Sequence, residues 1–108
     1  MFPDPEGIIQ EVIGRYLDPE KSFIFLFGSR AGENYQPASD YDVGVYTGQK
    51  IPLSVIAQIK DQLEDYPIPV DVDIVDFSSV SEEFRRVAAN QIKIWNRPKK
   101  DSPPNWPF

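Results

Sequence analysis

At 108 residues the chain has the length of one domain, enough to bury roughly 60–70% of its unfolded surface. It has no cysteine and no histidine. That excludes disulfides, thiolate metal sites, Ser-His-Asp schemes and imidazole-bound metals, and leaves carboxylates, hydroxyls, Lys/Arg and hard oxygen-bound cations for any chemistry. A net charge of −6 argues against general binding to nucleic acid. Apolar residues make up 41% of the chain, yet no apolar run approaches the roughly 20 residues that span a bilayer. Met1-Phe2-Pro3-Asp4 lacks the basic and apolar regions of a signal peptide, and the absence of cysteine makes the cytoplasm the expected setting.

Asp4-Pro5-Glu6 has the pattern of an N-cap, a proline at the first helical position and an acid in the first turn. Ile8, Ile9, Val12, Ile13, Tyr16 and Leu17 follow at helical spacing, and Asp18-Pro19 is expected to stop this helix. Phe23 to Phe27 is an unbroken apolar run of strand length, predicting a strand covered on both faces and ended by Gly28. Residues 30–39 are small, polar and proline-containing, which predicts a loop with room for a short helical turn after Ser29.

Tyr41 to Tyr46 alternates as a second strand, stopped at Thr47-Gly48. Pro52 opens a helix with Leu53, Ile56, Ile59, Leu63 and Tyr66 on one stripe, ended by Pro67 and Pro69. Val70 to Val75 predicts a third strand. Ser79 and Ser81, with Glu82 and Glu83, cap a last helix expected to bury Phe84, Val87 and Ala88. Ile92 to Trp95 has the length of a short edge strand. The domain is expected over residues 1–96, and 97–108, rich in proline and lysine, as a loosely ordered tail. Trp106 and Phe108 give that tail aromatic groups that can fold back or dock on a partner. Six of the eleven basic residues lie from Arg85 onward, which fits a solvated helix face running into a polar tail, or a basic end for an anionic partner surface.

The residues that can carry chemistry fall at the ends of these strands. Side chains two apart on a strand share a face, so Asp40 and Asp42 point the same way, and Gly44 continues that face with no side chain, leaving room for a ligand. On the third strand Asp71, Asp73 and Val75 share one face and Asp76 takes the other. If the two strands are neighbours, Asp40, Asp42 and one of Asp71 or Asp73 converge. Such carboxylates repel one another unless cations intervene, and Mg²⁺ is held by one or two carboxylates together with substrate phosphates. Gly28 lets backbone N–H groups approach a phosphate closely, the Ser29 hydroxyl adds a donor, and Arg30 can neutralise charge.

Gly28-Ser29, a ten-residue gap, Asp40-Tyr41-Asp42 and the later segment Val72-Asp73-Ile74-Val75-Asp76 resemble the signature of the minimal nucleotidyltransferases, within the DNA polymerase beta-like superfamily. The resemblance covers about Phe23 to Trp95 and selects Asp73 as the third carboxylate, with Asp71 in reserve and Asp76 structural. It implies an α/β (α+β) nucleotidyltransferase fold, with a mixed three- to four-stranded sheet flanked by helices. It also implies transfer of AMP from ATP to an acceptor hydroxyl, with two Mg²⁺ ions held by Asp40, Asp42 and Asp73 and phosphates bound by Gly28, Ser29 and Arg30. One departure stands out: many relatives read Gly-Ser-Arg-Ala-Arg-Gly, whereas this chain has Gly32-Glu33 in the last two places.

Small proteins of this family resemble the antitoxin half of toxin–antitoxin pairs, in which a tyrosine of an all-helical HEPN ribonuclease toxin is adenylylated. The resemblance therefore implies a HEPN-type partner in a hetero-oligomer. The alternative is a non-catalytic antitoxin that neutralises its partner by contact alone.

Overall fold

The computed structural model describes residues 4–99. Its elements run α1 (Pro5–Gly14), β1 (Phe23–Phe27), a single 3₁₀ turn (Ser29–Ala31), β2 (Tyr41–Tyr46), α2 (Leu53–Glu64), β3 (Val72–Asp76), α3 (Glu82–Ala88) and β4 (Ile92–Asn96). The four strands form one mixed sheet in the order β3-β2-β1-β4. β1 is antiparallel to both neighbours, while β2 and β3 run parallel, joined by the crossover through α2.

The sheet is covered unequally on its two faces. On one face Ile24 and Leu26 of β1, Val43 and Val45 of β2 and Ile74 of β3 meet Ile8, Ile9, Val12 and Ile13 of α1 and Ile59 and Leu63 of α2. On the other, Phe23, Phe25, Phe27, Tyr46 and Phe77 form a second cluster against which Val75, Ala88 and Ile92 pack. β1 is therefore buried along its whole length, as its unbroken apolar run requires.

Phe77 is the hub of the second cluster, with ring centroids 4.8 Å from Phe25 and 5.1 Å from Phe27, both edge to face. Gly44 makes this possible. A Cβ there would collide with the rings of Phe25 and Phe77. The space at Gly44 is thus filled by aromatic rings and is not room for a ligand, because its register partner is Phe25.

Five local expectations are corrected. α1 ends at Gly14, short of Asp18-Pro19, and is followed by a closing turn in which Arg15 N donates to Val12 O at 3.1 Å and Leu17 N to Ile13 O at 2.9 Å. A glycine at that point weakens helix propagation. Asp4 occupies the N-cap position of α1, but its carboxylate makes no capping bond. Leu53, in the first turn of α2, is 77% exposed, and the buried positions of the helix are Ile59 and Leu63. α3 is only seven residues long, and it leaves Phe84 41% and Val87 66% exposed where burial was expected. The third strand is also shifted, to Val72–Asp76, with its alternation of faces unchanged.

Other local readings hold. Ser81 caps α3 by accepting from Phe84 N at 3.1 Å. The edge strand β4 is tied to α1 by Trp95, whose Nε1 donates to Glu6 Oε1 at 3.0 Å. Of the C-terminal segment, Lys99 is held by a bond from its N–H to Glu20 O at 2.9 Å. Trp106 and Phe108 lie outside the described residues.

Gly44→Val should overpack the Phe25–Phe77 contact and cost about 1–3 kcal/mol. Urea denaturation should show a lower midpoint with an unchanged slope.

Candidate active site

β2 carries the central residue of the site. In the antiparallel pairing Phe27 stands opposite Asp42, and in the parallel pairing Asp42 stands opposite Asp73. Parity puts Asp42 and Asp73 on the face of the aromatic cluster. Beyond the strand pair, Tyr41 N donates to Asp71 O at 2.9 Å, which continues the ladder toward Asp40. Asp42 is half-buried, whereas Asp40, Asp71 and Asp73 are exposed.

The electrostatics follow from this placement. Burial raises the Asp42 pKa above the usual carboxylate value, and the charges of Asp73 and then Asp40 raise it further. Both neighbouring carboxylates therefore act on Asp42. Among the described residues, no group of three acidic side chains is drawn close enough to form a finished metal cage. The donor set still fits Mg²⁺, which takes one or two protein carboxylates and completes its shell with water and substrate phosphates.

Gly28 closes the site from the side of β1. Its φ of 73° lies in the left-handed region that glycine adopts without strain. A Cβ on it would stand 2.5 Å from Asp42 Oδ2. Only a glycine lets the strand end pass so close to that carboxylate. Ser29 then opens the 3₁₀ turn, exposed, with Ala31 N donating to Gly28 O and Gly32 N to Ser29 O, each at 3.2 Å.

Arg30 has another task than the one expected from its place beside Ser29. Its Nε donates to Ser39 O and its Nη2 to Pro37 O, both at 2.7 Å, and its Nη1 to Tyr41 Oη at 3.3 Å. The guanidinium also lies over the rings of Tyr41 and Tyr35, 4.2 and 4.7 Å from their centroids. Arg30 thus turns inward and clamps the loop that delivers Asp40 and Asp42. Burial pushes the Tyr41 hydroxyl above its ordinary pKa, while Arg30 pulls the other way.

Asp76 lies on the opposite face and is fully engaged there. It accepts from Ile51 N at 2.8 Å, Ser78 N at 2.9 Å and Ser79 Oγ at 2.9 Å, joining the entry of α2 to the exit of β3.

One neighbour of the site carried no signal in the sequence. Lys60 of α2 reaches round the sheet edge, and its Nζ donates to Asp73 Oδ1 at 3.2 Å. Both side chains are about half exposed, so the pair adds little to stability. Its effect is to give Asp73 a resident counter-charge. Nothing in the spacing of Lys60 distinguishes it from a solvated helix lysine.

Comparison with known proteins decides the family. Residues 9–100 match the family described as polymerase beta nucleotidyltransferase. The chain belongs to that family. A curated relative, "Probable protein adenylyltransferase MntA" of Haemophilus influenzae, is 24% identical over 80 residues, covering 74% of this chain. The aligned stretch spans 65% of that relative's length.

Solved structures of similar fold include a tri-AMPylated Shewanella oneidensis HEPN toxin in complex with its MNT antitoxin, with TM-score 0.64 and 23% identity over 85% of this chain and 70% of that one. A toxin–antitoxin complex with AMP-PNP matches with TM-score 0.68 and 24% identity over 87% of this chain and 74% of that one. At these identities the structures establish the fold, which is the one the sequence implied.

Two outcomes follow. Arg30→Lys keeps the charge but not the forked donors, and should lower stability by about 1–3 kcal/mol in chemical denaturation. Asp42 is neutral in both folded and unfolded chains at low pH, and ionised in both above its raised folded pKa, so its penalty grows as pH rises through that window. Without divalent cations, Asp42→Asn should therefore melt above wild type near neutral pH, and the difference should shrink in acid.

Proposed function

We propose that this chain is a Mg²⁺-dependent nucleotidyltransferase that moves AMP from ATP to a hydroxyl of a partner protein in the cytoplasm. The acceptor we infer is a tyrosine of a HEPN-type ribonuclease toxin, which the transfer silences, so that the chain acts as an antitoxin in a hetero-oligomer. The observation that carries this reading is the pairing of Asp42 with Asp73 on one face, with Gly28 packed against the Asp42 carboxylate. Family membership supports the reaction class. The MntA relative, named an adenylyltransferase, and the AMPylated HEPN toxin beside an antitoxin of similar fold support the choice of nucleotide and acceptor.

Each residue has a distinct part. Asp40, Asp42 and Asp73 would hold the cations, which when bound neutralise the triphosphate and lower the pKa of the attacking hydroxyl. Backbone N–H groups at Gly28 and the Ser29 hydroxyl bind the β- and γ-phosphates. The acceptor oxygen attacks the α-phosphorus while the bond to the bridging oxygen of the departing pyrophosphate breaks. Asp73 takes the proton from the acceptor as the new P–O bond forms. It is exposed on an edge strand, where Lys60 supplies a counter-charge to its Oδ1. Arg30 acts on the reaction through the loop it clamps.

The test is incubation of the chain with labelled ATP, Mg²⁺ and a candidate HEPN partner, read by intact mass. Wild type should add one or more AMP units to the partner. Asp42→Asn and Asp73→Asn should each reduce the rate by at least about 100-fold, and Asp76→Asn should keep most of it. An unmodified partner that is nonetheless neutralised equally by wild type and Asp42→Asn would establish the contact-only antitoxin instead.

A further inference from the structure

Beside the Gly28 turn lies an apolar cavity of about 280 Å³ that the transfer chemistry leaves unused. Its walls are Phe27, Phe84, Val87 and Ala88, Gly28 stands at one end, and Asn90 and Gln91 form the rim. Register explains the meeting: Ile92 pairs with Phe27, so the segment from α3 into β4 arrives next to the end of β1. Phe84 is held edge to face against Phe27, with ring centroids 6.0 Å apart, yet stays 41% exposed. Gln91 leans across the turn, its amide filling the place where a side chain on residue 32 would stand. The glycine at position 32 is what admits it. Among the described residues, the Asn90 and Gln91 side-chain amides are engaged in no hydrogen bond.

No charged side chain lines this slot, so it is no seat for phosphate. What fits is a flat, apolar group covalently attached to phosphates lying at Gly28. Bases stack on aromatic rings whatever their identity, whereas amides discriminate among them. A Gln or Asn amide matches the donor–acceptor edge of adenine, while guanine presents two acceptors that suit Arg or Lys. We propose that the slot is the nucleobase subsite and that Gln91, aided by Asn90, selects adenine over guanine. This rests on the placement of the phosphates at Gly28 proposed above.

Calorimetric titration of the full chain with Mg²⁺ and AMP-PNP, GMP-PNP or tripolyphosphate tests it without any transfer reaction. Wild type should bind AMP-PNP about tenfold more tightly than either of the others. Phe84→Ala should bring AMP-PNP close to tripolyphosphate, with Phe84→Leu intermediate as the variant that keeps apolar packing. Gln91→Leu should remove the preference for adenine and leave tripolyphosphate affinity unchanged. Tripolyphosphate binding as tightly as AMP-PNP, or AMP-PNP binding unaffected by these substitutions, would overturn the subsite alone. Phe84→Ala that weakens partner binding but not AMP-PNP binding would assign the slot to a protein and overturn it too. Failure of wild type to bind any of the three would overturn both the subsite and the nucleotide-transfer reading.

Discussion

Everything at the site depends on one lateral contact, the parallel pairing that sets Asp42 beside Asp73. Burying Asp42 and setting it beside like charges both oppose folding, and its raised pKa records first the burial and then the charges of Asp73 and Asp40. The fold supplies the compensation elsewhere. The antiparallel pairing of β2 with the fully buried β1 anchors one side, and the α2 crossover, with Ile59 and Leu63 in the core, anchors the other.

The two faces of the sheet divide the labour. The face covered by α1 and α2 is an aliphatic core of the usual kind. The other is aromatic and only partly covered by the short α3, so that site and apolar slot open on the same side. Glycines set the spacing there. Gly28 admits the Asp42 carboxylate, Gly44 admits the rings of Phe25 and Phe77, and Gly32 admits the Gln91 amide. In each case a missing side chain is filled by a neighbour.

Much of this was legible in the sequence, for identifiable reasons. The run from Phe23 to Phe27 has no polar alternation and so required cover on both faces. Parity put Asp40 and Asp42 on one face and left Asp71 or Asp73 to meet them; the family resemblance chose Asp73, which the register sets opposite Asp42. What escaped prediction depended on contacts distant in sequence. Arg30 lies beside the phosphate turn in the chain, but its nearest acceptors, Ser39 O and Pro37 O, belong to the following loop. Phe84 and Val87 have the spacing of a buried stripe, yet among the described residues both remain exposed. Lys60 meets Asp73 only because β3 is an edge strand.

The three bonds accepted by Asp76 gain meaning from that edge position. An edge strand can slide, and sliding by one residue would turn Asp73 to the opposite face and relieve its repulsion with Asp42. Asp76 is held by Ile51, Ser78 and Ser79, and Phe77 beside it donates from its N–H to Val45 O at 2.8 Å while its ring fills the aromatic cluster. These contacts act as a ratchet stop at the far end of the strand. A carboxylate on the opposite face of the sheet thus holds the alignment that sets Asp42 beside Asp73.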